Sequence, residues 1–180
     1  DRVNENRRLR QKSLPQSARL RQIESHLTNA NKQLVANHFE GASQEFQDAA
    51  KVYLNVEDWS NSAKYYFLAA ETLARDSSRL SYGVALLYVI SASAYLLNNN
   101  LTKFNASFAL ARGISEKLHD RSSKERISFL LDILNKLQNR ETRQLKENWS
   151  KTAWKIEINF EPYAEELIII LEKILNVRKD

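Results

Sequence analysis

Apolar residues recur at three- and four-residue spacing along almost the whole chain, and strict alternation is essentially absent, so the pattern predicts helices throughout. From Pro15 onward, Ala18, Leu20, Ile23, Leu27, Ala30, Leu34 and Val35 form one stripe, with Pro15 placed at a first turn where its missing N–H costs nothing. A second stripe follows Gly41 and carries Phe46, Ala49, Ala50, Tyr53 and Leu54 as far as Asn55. Asp58-Trp59-Ser60 reads as the next helix start, with Asp58 as cap, and Ala63, Tyr66, Phe67, Ala70 and Leu73 lead to a stop near Asp76-Ser77-Ser78.

The fourth predicted helix, about Leu80 to Leu97, is apolar nearly all round and must be buried between neighbours. Asn98-Asn99-Asn100 ends it. A fifth helix then carries Phe104, Phe108, Ala111 and Ile114 towards His119, and Ser122 with Glu125 stands in capping-box spacing before a sixth with Ile127, Leu130, Leu131, Leu134 and Leu137. Residues 141–156 form a weaker helix with Leu145, Trp149, Ala153, Trp154 and Ile156, and the segment Ile156-Glu157-Ile158 is compatible with an extended conformation. After a break over Asn159 to Pro162, a last helix from Tyr163 to Asn176 has the amphipathic face expected of a cap on a helical stack.

Composition agrees with this picture. The 180 residues include only 3 Gly and 2 Pro, too few to supply the turns of a sheet protein. Hydrophobic residues at 43% and charged residues at 27% describe a chain able to bury a core. With no Cys there is no disulfide framework, thiolate nucleophile or Cys-ligated zinc, which is compatible with a reducing, cytoplasmic setting. No stretch approaches the roughly 20 apolar residues of a membrane span, and the Arg-rich start lacks the apolar segment of a secretory signal. Glycosylation-type triplets at Asn100, Asn105 and Asn148 match chance expectation, the last two within predicted helices. Asp at position 1 and the absence of Met lead us to expect a processed chain or a piece of a longer one.

The formal charge of +5 resides in residues 1–22, which hold seven basic residues against Asp1 and Glu5; the remainder is balanced. Arg7, Arg8, Arg10, Lys12, Arg19 and Arg21 are therefore the candidate contacts to nucleic-acid phosphates or an anionic membrane surface. No aromatic residue is interleaved among them to stack on bases, and a solvated tail or helix face is the plainer account of the same charges. We divide the chain into a basic segment at 1–14 and a helical-repeat domain at 15–180.

Chemistry is sparse. His26 and His38 do not converge on one helix face, and His119 sits at a predicted helix end. The neighbours Glu57 and Asp58, or Glu165 and Glu166, do not face one another on a helix. Phosphate loops, nucleophile elbows and zinc-protease signatures are missing, so the expectation is a non-enzyme without cofactor or metal. Trp59, Trp149 and Trp154 read mainly as core. Trp149 and Trp154 lie on different faces, which leaves one of them as a candidate anchor for a partner.

Two segments match one another. Ala50-Lys51-Val52-Tyr53-Leu54, a turn, then Trp59, Ala63, Phe67 and Ala70 is echoed by Ala92-Ser93-Ala94-Tyr95-Leu96, a turn, then Leu101, Phe104, Phe108 and Ala111. Tyr53 to Tyr95 is a step of 42 residues and Phe67 to Phe108 one of 41, with the clearest repeats over 46–114. Small Ala residues let helix backbones approach while aromatics fill the adjoining groove. A hairpin of this kind leaves an apolar face uncovered, so the expected fold is all-α, with antiparallel hairpins stacked as an α-solenoid, right-handed by the resemblance given next, and a capping helix at 163–176.

These small and aromatic positions resemble the tetratricopeptide class, and the longer unit resembles the soluble NSF-attachment proteins (the SNAP family). The likeness is carried by Ala49-Ala50-Lys51-Val52-Tyr53, Glu57-Asp58-Trp59, Ala63 and Phe67-Leu68-Ala69-Ala70, and it covers residues 35–140. It implies a protein-protein interaction scaffold or adaptor that holds a peptide or helix in a concave surface. For the SNAP family in particular it implies an adaptor in membrane traffic. A nucleic-acid-binding or regulatory module using the basic N-terminus is the alternative.

Overall fold

The computed structural model describes residues 14–76 and 81–177. Among the described residues there are nine helices and no strand: α1 Gln16–Val35, α2 Phe39–Asn55, α3 Trp59–Ala74, α4 Tyr82–Leu97, α5 Leu101–Lys117, α6 Arg121–Gln138, α7 Arg143–Glu147, α8 Trp149–Asn159 and α9 Ala164–Val177. None of them is long and apolar enough to cross a membrane. The chain divides between Arg79 and Leu80 into two compact units.

In the first unit α2 packs against α1 on one side and α3 on the other. The α2–α3 contact is close because Ala42, Ala49 and Ala50 meet Ala63, Ala69 and Ala70, all fully buried. Ser43 Oγ donates to the Ala69 carbonyl at 2.9 Å, and Gln47 Nε2 donates in turn to Ser43 Oγ at 3.3 Å, so these two polar side chains are tied into the seam. Tyr53 stacks on Tyr65 with ring centroids 5.5 Å apart and planes within 3°. Asp58 starts α3 as expected, accepting from the Asn61 backbone N–H at 3.1 Å, a cap worth about 1 kcal/mol.

In the second unit α4 is the central element, packed by α5, α6 and α9. Every residue from Val84 to Leu96 is buried, which is why its sequence shows almost no polar strip. Phe104 from α5 and Leu130, Leu134 and Leu137 from α6 complete this core. The predicted last helix is present as α9, which lays Leu167, Ile170, Leu171, Ile174 and Leu175 against α4 and α8.

Four turns share one backbone device. Asn37, Glu57, Asn99 and Arg140 have φ of 56°, 63°, 56° and 62°, the left-handed region that closes helix C-termini. In each, the next residue donates its N–H to a carbonyl five positions back: His38 to Gln33, Asp58 to Tyr53, Asn100 to Tyr95 and Glu141 to Lys136, at 2.8 to 3.0 Å. Glu57 to Asn99 is a step of 42 residues and Asn99 to Arg140 one of 41, so the period seen in the side chains is also a period of the turns.

The structure corrects several local expectations. Pro15 precedes α1 as its N-cap residue, and α2 begins at Phe39, before Gly41, because the left-handed turn at Asn37 closes the preceding helix earlier. Asp120, not Ser122, caps α6: its carboxylate accepts from the Ser123 N–H at 2.7 Å. Residues 141–156 are two helices, α7 and α8, meeting at Asn148, which is a junction and not a helix interior. Ile156-Glu157-Ile158 is helical, since burying Ile156 completely holds that turn on the core. Leu20 and Val35 were placed in the α1 stripe but are exposed, because the main partner of α1 is α2 alone. The expected stop at Ser77-Ser78 lies outside the described residues, and α3 ends at Ala74.

Candidate partner-binding groove

In the second unit the start of α6 lies beside the end of α8, and a cavity of about 280 Å³ opens between them, lined by Ser122, Glu125, Arg126, Phe129, Lys155, Asn159 and Phe160. Phe160 ends α8 because its backbone leaves the helix there, and its ring turns inward to stack on Phe129 with centroids 6.3 Å apart. The two rings give the groove an apolar floor. Lys155 Nζ sits 5.8 Å from the Phe129 centroid, a cation–π contact that holds the ammonium at the rim. Arg126 reaches across α8 and donates through Nη1 to the Asn159 carbonyl at 3.4 Å.

The electrostatics of this groove are cationic. Glu125 is engaged by Arg121 at 2.7 Å, a surface pair at i and i+4. Among the described residues no carboxylate forms an ion pair with Arg126 or Lys155. Arg126 also lies against the Tyr82 hydroxyl without a well-formed hydrogen bond between them. Burial pushes the Tyr82 phenol above its ordinary value, and the guanidinium opposes this only in part. Asp120 is held below the usual carboxylate range, chiefly by hydrogen bonds from the Ser123 side chain and N–H, then by that of Ser122 and by the charge of Arg126.

The outer face of α8 shares Lys155 with the groove. Lys151, Trp154, Lys155 and Ile158 are spaced by three and four residues, share one side of the helix and are all exposed. Trp154 is 58% exposed and Ile158 56%, a large aromatic and a β-branched residue left in water side by side. An apolar anchor next to two cations matches a partner that brings a carboxylate and an apolar side chain together. The cavity has the volume of a side chain or two, short of the roughly 300 to 1,000 Å³ of small-molecule sites.

Of the residues singled out by sequence, Arg7, Arg8, Arg10 and Lys12 lie outside the described residues. Arg19 and Arg21 are both on α1 but on different faces; Arg19 Nε is buried without a hydrogen-bond partner, while Arg21 Nε donates to the Ser17 carbonyl at 3.3 Å. They form no common basic patch among the described residues. Trp149 is half-buried and donates from Nε1 to Glu172 at 2.8 Å, tying α8 to α9, so Trp154 is the one presented to solvent. Trp59 is half-buried at the start of α3.

Arg126, Phe129, Lys155 and Phe160 were not singled out by sequence. The spacing Lys151, Trp154, Lys155, Ile158 was a legible signal for the outer face of α8; the meeting of α8 with α6 was not. A second cluster also lay hidden: His26 Nδ1 on α1 is 2.7 Å from Glu45 Oε2 on α2, with Asp48 beside it. His38 instead occupies the N-cap position of α2 beside Gln33, and His119 is exposed. Asp58 is committed to its cap, and the neighbours Glu165 and Glu166 differ in burial, half-buried and buried respectively.

The fold defines an all-α protein of helices packed as adjacent pairs. Comparison with protein-family models, with curated proteins and with solved structures returns no match for this chain.

Proposed function

We propose that this chain is a non-catalytic protein-protein interaction scaffold or adaptor, a stack of TPR/SNAP-like hairpins working in the cytoplasm. Its α6–α8 groove takes a segment of another protein in which a carboxylate neighbours an apolar side chain. The observation that carries this reading is the exposure of Trp154 and Ile158 beside Lys155, which also lines the groove with Arg126. Apolar surface of this kind, rimmed by charge and aimed outward, is characteristic of an interaction site, and Trp and Arg are the residues that most often dominate binding energy. The 41- to 42-residue turn period supports the repeat architecture, whose general use is to present an extended binding surface.

The test is selection from a displayed peptide library on the immobilised chain, followed by fluorescence anisotropy with the selected peptides. Expected are sequences that pair Asp or Glu with an aromatic or aliphatic residue, and a loss of affinity of about tenfold or more with Trp154→Ala or Lys155→Glu. A library that yields no such sequence, while oligonucleotides bind with an affinity that falls steeply with salt, would replace this reading with the nucleic-acid alternative at the basic N-terminus. The same salt-sensitive response to anionic vesicles, with no peptide selected, would favour the membrane surface.

A further inference from the structure

We propose that His26, Glu45 and Asp48 form a binding site for one divalent transition-metal ion of the zinc type, which staples α1 to α2 in the first unit. Their candidate ligand atoms, one imidazole nitrogen and two carboxylate oxygens, all lie within 4.8 Å of one another. A tetrahedral ion with bonds of about 2.0 to 2.1 Å needs donors about 3.3 Å apart. The 2.7 Å between His26 and Glu45 and the 4.8 Å limit for the set bracket that spacing, so side-chain adjustment without backbone movement admits the ion.

The supports of the site are rigid. His26 lies between the buried Ile23 and Ala30 on α1, and Glu45 and Asp48 are spaced by three residues on α2, with Phe46, Gln47 and Ala49 buried among them. Ligands on two packed helices are therefore held near each other by a core that does not depend on the metal. All three are half-buried, with side-chain exposures of 31% for His26 and 25% for Glu45.

Charge supplies the second argument. Two carboxylates come together on one face of α2. The His26 ring partners Glu45, and Asp48 accepts from the neutral Gln44 amide at 3.2 Å. Among the described residues no Lys or Arg forms an ion pair with either carboxylate. A divalent cation answers both charges at once, which a single imidazole does not.

The donor set selects the class of ion. One nitrogen and two oxygens suit zinc or cobalt; calcium needs six to eight oxygens and magnesium a near-octahedral oxygen shell. Without the ion, Nδ1–H of His26 donates to Glu45. With it, the tautomer protonated at Nε2 presents the Nδ1 lone pair, and water occupies the fourth position.

The experiment uses the full chain, stripped with chelator and titrated with Zn²⁺ by calorimetry and with Co²⁺ by visible absorption. Expected are one equivalent bound, the absorption of four-coordinate cobalt, and a rise in melting midpoint of about 5 to 10 °C at free Zn²⁺ one hundred times its dissociation constant. Among the described residues the side-chain hydrogen bond of Asp48 is to Gln44, so Asp48→Asn keeps the fold; it and His26→Gln each weaken binding at least about tenfold. The metal-dependent part of the melting shift is the readout, so a change in the metal-free midpoint of a variant does not blur it. No saturable binding below millimolar Zn²⁺ overturns the proposal. So does binding that both variants leave unchanged, which would place an adventitious ion elsewhere.

Discussion

Phe160 stacks on Phe129 with ring centroids 6.3 Å apart, so the residue that ends α8 also forms the floor of a groove whose other wall is α6. Phe160 is only 1% exposed. Phe160→Ala leaves a cavity beneath Phe129 and is expected to cost about 3 to 5 kcal/mol, with a smaller loss for Phe160→Leu. Urea denaturation followed by helical circular dichroism checks this. A cost below about 1 kcal/mol would show that the stack does not hold α8 in place.

The outer face of α8 separates binding from stability. Trp154→Ala and Ile158→Ser remove exposed side chains and should leave the unfolding free energy within about 0.5 kcal/mol. Trp149→Phe breaks the 2.8 Å hydrogen bond to Glu172 and should cost about 1 kcal/mol instead. Parallel denaturation curves of the three variants distinguish the anchor from the tie.

The left-handed turns make a backbone prediction. Arg140 holds a φ of 62° with an exposed, β-carbon-bearing side chain, whereas Asn99 occupies the same region with a residue that tolerates it. Arg140→Gly should stabilise by about 0.5 to 1 kcal/mol after the greater freedom of Gly in the unfolded chain is subtracted. Asn99→Gly should change stability less. Thermal melts of both variants against the parent measure the difference.

Alkaline pH should destabilise the protein. Burial raises the phenol pKa of Tyr53, Tyr82 and Tyr95 above the ordinary value, with the neighbouring Tyr65 and Asp58 adding to the shift at Tyr53. A raised folded-state value means the stabilisation is complete below the unfolded value of about 10 and is lost as pH rises through the folded values. Denaturation midpoints should therefore fall as pH rises above about 10, and tyrosinate absorbance should lag behind that of the unfolded chain. Tyr82→Phe should flatten part of that fall. A midpoint independent of pH across this range would contradict the shifts.

Much of the local structure was legible because its causes are local. The three- and four-residue period identifies the helices, Asp58 marks a start and the Asn98-Asn99-Asn100 run a stop, each through bonds to atoms a few residues away. Errors fell where local signals compete. Ser122 and Asp120 both have the chemistry of a cap, and only the hydrogen bond to the Ser123 N–H decides between them. Residues 141–156 have one continuous period, yet the helix breaks at Asn148, whose backbone leaves helical values at φ −109° and ψ 14°.

By itself, then, the sequence determined the helices, the polar stops between them and a repeat of 41 to 42 residues that returns in the left-handed turns. The tertiary structure decided which helix faces meet. It set Lys155 above Phe129, put His26 against Glu45, and left Trp154 in water while Trp149 bonded Glu172. The physical reason is that helical periodicity is nearly the same for every helix and carries little information about partners. The choice among neighbours is made by side-chain packing and charge between residues far apart in the chain.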